Sequence, residues 1–498
     1  MYKLPNRDTL KATSHDVYQA NSLSDFSKAL LQYCRSDGRA DGAPLWQLLY
    51  YGAIREQEKN SLLAVLAQPG TGEELWIAAA LSDSEPWPSL ANDWPALLWP
   101  EREAWERTGF EPLGHPDLVP LLQPHRFELQ GRAQGAGVFS LPLGPVRADV
   151  SESGFFMFDT VGEQIMHMQL QLFYKHRGVE QLAIGQPIDH VLLISERISG
   201  TATASHACAY VTAVERAIQW RAPVEIQRER QLWIELERMY NYAHDLSQLA
   251  SAAGMTVGQA QLARVKEECL RLAGGLSGSR YLRGSIQLFR ASGLDWKAVM
   301  PTLESRLLAI DKRFARFVRL LRRTPSFVDR LVGTGIVNRA WVDEYGLVGP
   351  TARACGITTD VRNDFPPKFQ NAGYEVCTAG TGVGDAKARF DVRVAEWHVS
   401  VAMVRHLASE LANANPRGAC VAIRAQTEGW GVGTVEGPRG RIAHVVAVED
   451  GRVKFFGVRS ASSWIWPVFG LATANGNIQT DFPVIDASLG LSYAGVDR

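Results

Sequence analysis

Apolar positions change their period twice along the chain. Over the first ~120 residues they come in short dense runs, Trp46–Tyr51, Leu62–Ala67 and Glu74–Leu81, which read as strands. A Pro- and Trp-rich passage from Pro86 to Pro100 follows, and then a charged helical turn, Glu101–Arg107, that stops at Thr108-Gly109. From about Leu141 the period lengthens. In Glu229–Leu249 the residues Leu232, Leu236, Met239, Ala243 and Leu246 recur at helical spacing, while Glu235, Glu237 and Arg238 interrupt the run. Val257–Ala273, Trp296–Leu321 and Asp385–Ala412 repeat that pattern, which predicts a bundle. The last ~80 residues return to strands, Cys420–Arg424, Gly431–Val435, Ala443–Val448 and Val453–Val458, with Glu449-Asp450-Gly451 as a hairpin turn.

These elements predict an α+β protein: a small N-terminal α/β domain over 1–125, a polar, Gly-containing connection over 126–140, and a large helical-bundle domain carrying a small sheet over 141–498. No internal repeat or low-complexity tract interrupts it.

Composition narrows the class. A chain of 498 residues, 46% of them hydrophobic, can bury two cores. A formal net charge of −1 gives no global attraction to nucleic acid or anionic lipid. No apolar run approaches the ~20 residues needed to cross a bilayer, and Met1–Asp8 lacks the apolar centre of a secretory signal. The expectation is a cytoplasmic protein that reaches a membrane only through partners. Six cysteines stand singly at 34, 208, 269, 355, 377 and 420, so no Cys-x-x-Cys pair is present. Each reads as a small buried hydrophobe, and no metal site is expected.

Two passages carry a family resemblance. Trp99–Phe110, containing Glu101-Arg102-Glu103, followed by Gly114-His115-Pro116-Asp117-Leu118, resembles the end of the small peripheral-arm subunit of complex I. The second starts at Gly144-Pro145 and runs through Glu152–Phe156 and Gly162-Glu163 to Tyr174–Glu180. It resembles the opening of the adjoining complex I subunit that borders the quinone site, and of hydrogenase large subunits. Glu196-Arg197-Ile198, Ser205-His206-Ala207, Glu235–Arg238, Val348–Ala354, Asp360–Asp364 and Asp481-Phe482-Pro483 agree in order. Both modules in one polypeptide resemble the large subunit of the formate hydrogenlyase and hydrogenase-4 type. The resemblance implies the nickel-iron hydrogenase large-subunit fold and electron transfer from an iron-sulfur partner to quinone or another acceptor. The partners it implies are a small iron-sulfur subunit, a ferredoxin-like subunit and integral membrane subunits, at the cytoplasmic face of the inner membrane, with NADH bound elsewhere if used at all.

The departures are equally informative. Where the hydrogenases carry Cys-Gly-x-Cys after Glu-Arg-Ile, this chain has Ser199 and Ala202; where a second Cys-x-x-Cys closes theirs, it has Ser492 and Gly495. Serine is a poor ligand for soft metals and Ala and Gly offer none, so a nickel-iron centre is not expected. The tail that the nickel-processed enzymes cleave is not seen after Arg498. The His-Pro-x-x-His loop and the Asp-Arg-Leu-Asp-Tyr segment of complex I are replaced by Val146–Val150 and Glu196–Gly200, which removes the quinone-bonding tyrosine. The histidine beside the terminal cluster falls near Tyr242, with His244 just beyond.

The candidate catalytic residues are therefore Glu152, Arg362 and Asp364. Glu152 occupies the place of a proton-passing carboxylate, the bland alternative being an exposed loop acid. Arg362 and Asp364 would bind an anionic or carbonyl group or form a structural ion pair with each other. The cavity and cluster-facing candidates are Arg147, His176, Arg177, Ser199, Gly200, Ala202, His206 and Ser492, with Ser199, Gly200, Ala202 and Ser492 flooring one cavity. His206 also reads as a packed histidine. Arg316–Arg323 is a basic patch on a helix, normally a solvated face. The glycines around 380–384 and 429–433 lack a phosphate-loop context. A non-catalytic scaffold and an active hydrogenase are the competing readings.

Overall fold

The computed structural model describes residues 17–34, 46–56, 59–83, 85–126, 128–147, 152–365, 376–414 and 428–498. The predicted strand Cys420–Arg424 lies outside them.

β1 (Val17–Gln19), α1 (Leu23–Cys34), β2 (Gln47–Glu56), β3 (Lys59–Ala67) and β4 (Glu74–Leu81) build a sheet of order β1-β4-β3-β2, parallel only between β1 and β4. α2 (Leu98–Thr108) ends where the sequence predicts, on Gly109 at φ +82, a left-handed cap that costs glycine little. β5 (Val138–Leu143) begins inside the stretch read as a connection and forms an antiparallel sheet with β6 (Phe155–Val161) and β7 (Gln164–Gln171).

Then come the long helices: α3 (Thr203–Ala217), α4 (Val224–Ala252), α5 (Thr256–Ser277), α6 (Trp296–Arg322) and α7 (Ala386–Ala414). α4 is buried on almost every side, so its Glu235, Glu237 and Arg238 lie in the core and must find partners there. β8 (Glu428–Gly437), β9 (Gly440–Glu449) and β10 (Arg452–Arg459) form the last antiparallel sheet, turned between β9 and β10 at Asp450 (φ +49) and Gly451 (φ +70). α8 (Ala461–Ala474) follows.

The glycines of β8 have a packing reason. A Cβ on Gly431 would sit 2.2 Å from the Ala213 carbonyl oxygen, and one on Gly433 would sit 1.9 Å from that of Ala209. The strand therefore lies with its backbone against α3, and only glycine permits that approach.

The two sheets share a core: Leu49, Tyr50, Leu63 and Trp76 of the N-terminal domain pack with Val432, Val445 and Phe455. Charges secure the joint. Glu103 of α2 accepts from Arg459 Nη1 at 2.7 Å and Arg498 Nη2 at 2.7 Å, and Arg107 pairs with Glu180, which also accepts from the Val458 N–H at 2.8 Å. The neighbours in that motif act locally. Glu101 accepts from the Leu90 N–H at 2.8 Å, while Arg102 donates to the Val119 carbonyl at 2.8 Å and lies 3.7 Å from Asp117. The first recognised passage is thus an interdomain fastening.

Candidate functional site: a small pocket beside an open cavity

Two segments distant in sequence meet behind α3. One is the turn 196–202 after the helix Ile188–Ser195; the other follows the helix Phe482–Leu489, which Gly490 ends at φ +61. Arg177 ties them together, donating to the carbonyls of Arg197 (2.7 Å), Ile198 (2.7 Å) and Ala494 (3.0 Å). His176 contacts the Asp497 carbonyl at 2.9 Å.

At their meeting point Ser199 Oγ lies 3.0 Å from Ser492 Oγ and 3.0 Å from Thr201 Oγ1, and Ser492 Oγ accepts from the Gly495 N–H at 3.0 Å. With Ala202, His206 and Arg439 they enclose about 20 Å³, room for about one water molecule. These residues do not fit a binuclear soft-metal centre: two hydroxyls bonded to each other, a methyl and a glycine supply no thiolate. Among the described residues no cluster of three or more His, Cys, Asp or Glu side chains is placed to hold a metal.

The side chains behind the pocket are buried. His206 Nδ1 faces His444 Nε2 at 2.9 Å, and burial pushes His206 down to about 3 and His444 well below the imidazole range, so both rings are neutral and one donates to the other. His206 is thus a packed histidine. Glu237 accepts from the N–H groups of Ala204 (2.8 Å) and Ser205 (3.0 Å), capping α3 from a neighbouring helix, and burial raises it to about 7. Arg439, at the β8–β9 tip, donates to Asn241 (2.9 Å), Asp245 (3.1 Å) and the Gly490 carbonyl.

On the other side of Ser199 and Ser492 opens a cavity of about 640 Å³, bordered by Glu152, Gly200, His244, Arg439, Asp486 and Tyr493. Gly200 points into it, since an added Cβ would meet nothing within 4 Å. Glu152 is partly exposed, 3.6 Å from Lys175. Arg147 holds Asp486 (3.1 Å) and Tyr493 (3.3 Å), its guanidinium 5.1 Å from the Phe156 ring centre. Burial lowers His244 to about 4, and its Nδ1 accepts from Lys266 at 3.3 Å. The single expected cavity is therefore two: Ala202 faces the small pocket, Gly200 the large one, and the serines border both.

The structure separates Arg362 and Asp364 from Glu152. Neither lines the open cavity, and they do not pair with each other. Arg362 donates to Asp360 (2.7 Å) and Glu235 (3.0 Å) within a buried cluster, where Arg353 also binds Glu396, Glu436 (2.9 Å) and Asp360 (3.2 Å), and Arg238 binds Glu235 (3.0 Å). Four acids face three guanidiniums there, and Glu436 rises to about 7, chiefly through burial. Asp364 accepts from the Asp360 N–H (3.0 Å), is raised to about 6 by burial, and borders a different cavity between the two domains. Sequence reasoning missed Arg439, His444, Asp245 and Glu436; a basic Pro438-Arg439-Gly440-Arg441 tip between apolar strands was the available signal.

Comparison with known proteins agrees with this architecture. Residues 24–135 match the family described as respiratory-chain NADH dehydrogenase, 30 Kd subunit, and residues 253–428 that of the 49 Kd subunit. The chain is a fusion of complex I 30 kDa-type and 49 kDa-type domains, the class of oxidoreductase-complex subunits. It is 27% identical to formate hydrogenlyase subunit 5 of Escherichia coli K12, over 86% of this chain and 80% of that protein, and 27% identical to hydrogenase-4 component G of the same organism, over 86% and 79%. It is 24% identical to the carbon monoxide-induced hydrogenase of Rhodospirillum rubrum, over 70% and 97%. A chain of the membrane-bound sulfane sulfur reductase, an archaeal respiratory membrane complex, shares the fold with TM-score 0.63 at 20% identity, covering 73% of this chain and 99% of that one. Among the described residues no helix is long and apolar enough to cross a membrane.

Proposed function

We propose that this chain is the large peripheral subunit of a membrane-associated complex related to complex I and formate hydrogenlyase, and that it takes part in electron transfer to quinone or another acceptor without a nickel-iron centre. The observation that carries the reading is the pairing of a hydroxyl-filled pocket, where four thiolates would be needed, with an open cavity directly beside it. Electrons arrive from a small iron-sulfur partner, with ferredoxin-like and integral membrane subunits completing the complex at the cytoplasmic face. The acceptor occupies the open cavity, where Glu152 and Asp486 border it and Arg147 orients Asp486 and Tyr493. Arg362 and Asp364 act from outside that cavity, Arg362 as a structural member of the buried cluster.

The small, hydroxyl-lined pocket also favours a second reading, a scaffold whose ancestral site is no longer used. Nickel and iron content per copy, measured on the intact complex isolated from membranes through this chain, tests the metal half of the proposal. Iron without nickel, with iron-sulfur subunits present, supports it; stoichiometric nickel overturns it. Acceptor reduction that survives both Glu152→Gln and a blocked cavity would leave the scaffold.

A further inference from the structure

α6 buries one side completely. Leu303, Leu307, Ile310, Phe314, Val318 and Leu321 face the bundle core. The opposite side carries Lys312, Arg316, Arg319 and Arg323, all exposed, at spacings of four, three and four residues that place them on one face. The row is about 16 Å long at 1.5 Å per residue.

Several other arginines on the bundle surface are matched. Arg271 and Arg280 meet Glu267 (2.8 and 2.6 Å), Arg313 meets Glu268 (3.1 Å), Arg322 meets Asp391 (2.9 Å) and Arg405 meets Glu304 (2.5 Å). The four in the row form no ion pair among the described residues. The acids of α6 are engaged on other faces, Glu304 with Arg405 and Asp311 with His398 (3.3 Å) and Trp397 (2.9 Å). The dipole of the helix C-terminus offsets about half a charge, which leaves a strong local positive field on a chain whose formal net charge is −1. Two exposed leucines share this face: Leu308, 45% exposed, and Leu320, 52% exposed, fall on the same four-residue row as Lys312 and Arg316.

We propose that this face of α6 rests on the anionic phospholipid headgroups of the bilayer. A row of cations on one helix face, accompanied by two exposed leucines, suits a planar, negatively charged layer, with the basic groups at phosphate depth and the leucines just below. No described helix of the chain spans a membrane, so a direct hold of its own must come from side chains of this kind. The inference is independent of what occupies the open cavity. It adds an electrostatic tether to whatever the partner subunits supply.

The test is co-sedimentation of the full-length chain with phosphatidylcholine vesicles, with and without phosphatidylglycerol, at low and high salt. Binding should require phosphatidylglycerol and be released by salt. Each neutralised cation should weaken it about fivefold, so Arg316→Gln alone gives about that loss and Lys312→Gln, Arg316→Gln, Arg319→Gln and Arg323→Gln combined give several hundredfold. A control carrying Arg271→Gln and Arg405→Gln, which removes charge from elsewhere on the surface, should bind nearly as the parent does. Unchanged thermal melting verifies that the exposed substitutions leave the fold intact. Equal binding to neutral vesicles, no binding to anionic ones, or equal losses in the control would overturn the proposal. So would loss of a co-purifying subunit from the quadruple variant without any vesicle binding, which would make the face a docking site for an acidic protein.

Discussion

The two cavities that share Ser199 and Ser492 as a common wall differ sharply in size: about 20 Å³ on one side and about 640 Å³ on the other. The small one is lined by hydroxyls satisfied by one another and backed by neutral imidazoles; the large one is bordered by carboxylates, a half-buried histidine and a glycine that leaves space. The apparatus that brings the two segments together, Arg177 and the cap at Gly490, is present although the residues it presents supply no thiolate. Convergence of loops and identity of donors are thus separable properties of this fold, and chemistry that remains should be looked for on the open side.

The largest effect should come from the buried acid behind the small pocket. Burial raises Glu237 to about 7 from an ordinary value near 4.5, so the folded chain keeps a proton that the unfolded chain releases. The sign follows: this group's contribution favours folding most below pH 4.5, falls as pH rises through that interval, and is level above pH 7. Over the interval the difference amounts to about 3 kcal/mol. Glu237→Gln should remove that slope, read as the pH dependence of the variant's denaturation midpoint minus the parent's. A variant that tracks the parent across pH would show that Glu237 is ionised, held by the N-terminus of α3.

On the open side, Gly200→Phe places a ring where the added Cβ meets nothing. Acceptor reduction by the intact complex should fall about a hundredfold with no shift in melting temperature. Retained activity would move the acceptor away from this cavity and dissolve the functional half of the contrast.

Arg177 serves both sides at once. Arg177→Ala removes the donor from three carbonyls on the two converging segments. Because the side chain is exposed and water can take its place, the cost in unfolding free energy should be about 1–2 kcal/mol. Hydrogen exchange at 196–202 and 490–495 should speed up together; acceleration in only one segment would show that they are held independently.

What the chain reveals of itself depends on how local the determining interaction is. The long helices were legible because their apolar periods are internal to each segment, and the β9–β10 turn because Asp450-Gly451 carries its own left-handed preference. Ser199 and Ser492 touch across 293 residues, and only the family resemblance linked them. Arg362 shows the limit from the other side. Its sequence neighbour Asp364 suggested an ion pair, but the guanidinium turns to Asp360 and to Glu235, 127 residues upstream, because α4 buries charges that must be neutralised there. His444 escaped notice since it sits within an apolar strand, and Arg439 since it sits in the tight turn joining that strand to its partner, where the regularity suggested only structure.

The smallest effect is the one that most sharpens the contrast. Ser199 and Ser492 hydroxyls bond across the shared wall at 3.0 Å, and if the pocket is filled structure, the pair contributes about 1 kcal/mol of stability and nothing to turnover. Ser199→Ala and Ser492→Ala should each cost about 1 kcal/mol and the double variant less than their sum, the sign of a shared bond in a double-mutant cycle, the remainder being the separate bonds to Thr201 and from the Gly495 N–H. Acceptor reduction should be unchanged in all three. A loss of activity that is non-additive, with stability additive, would mean that the hydroxyls act on the reacting molecule through the open side, and the wall between the two cavities would then be part of the site.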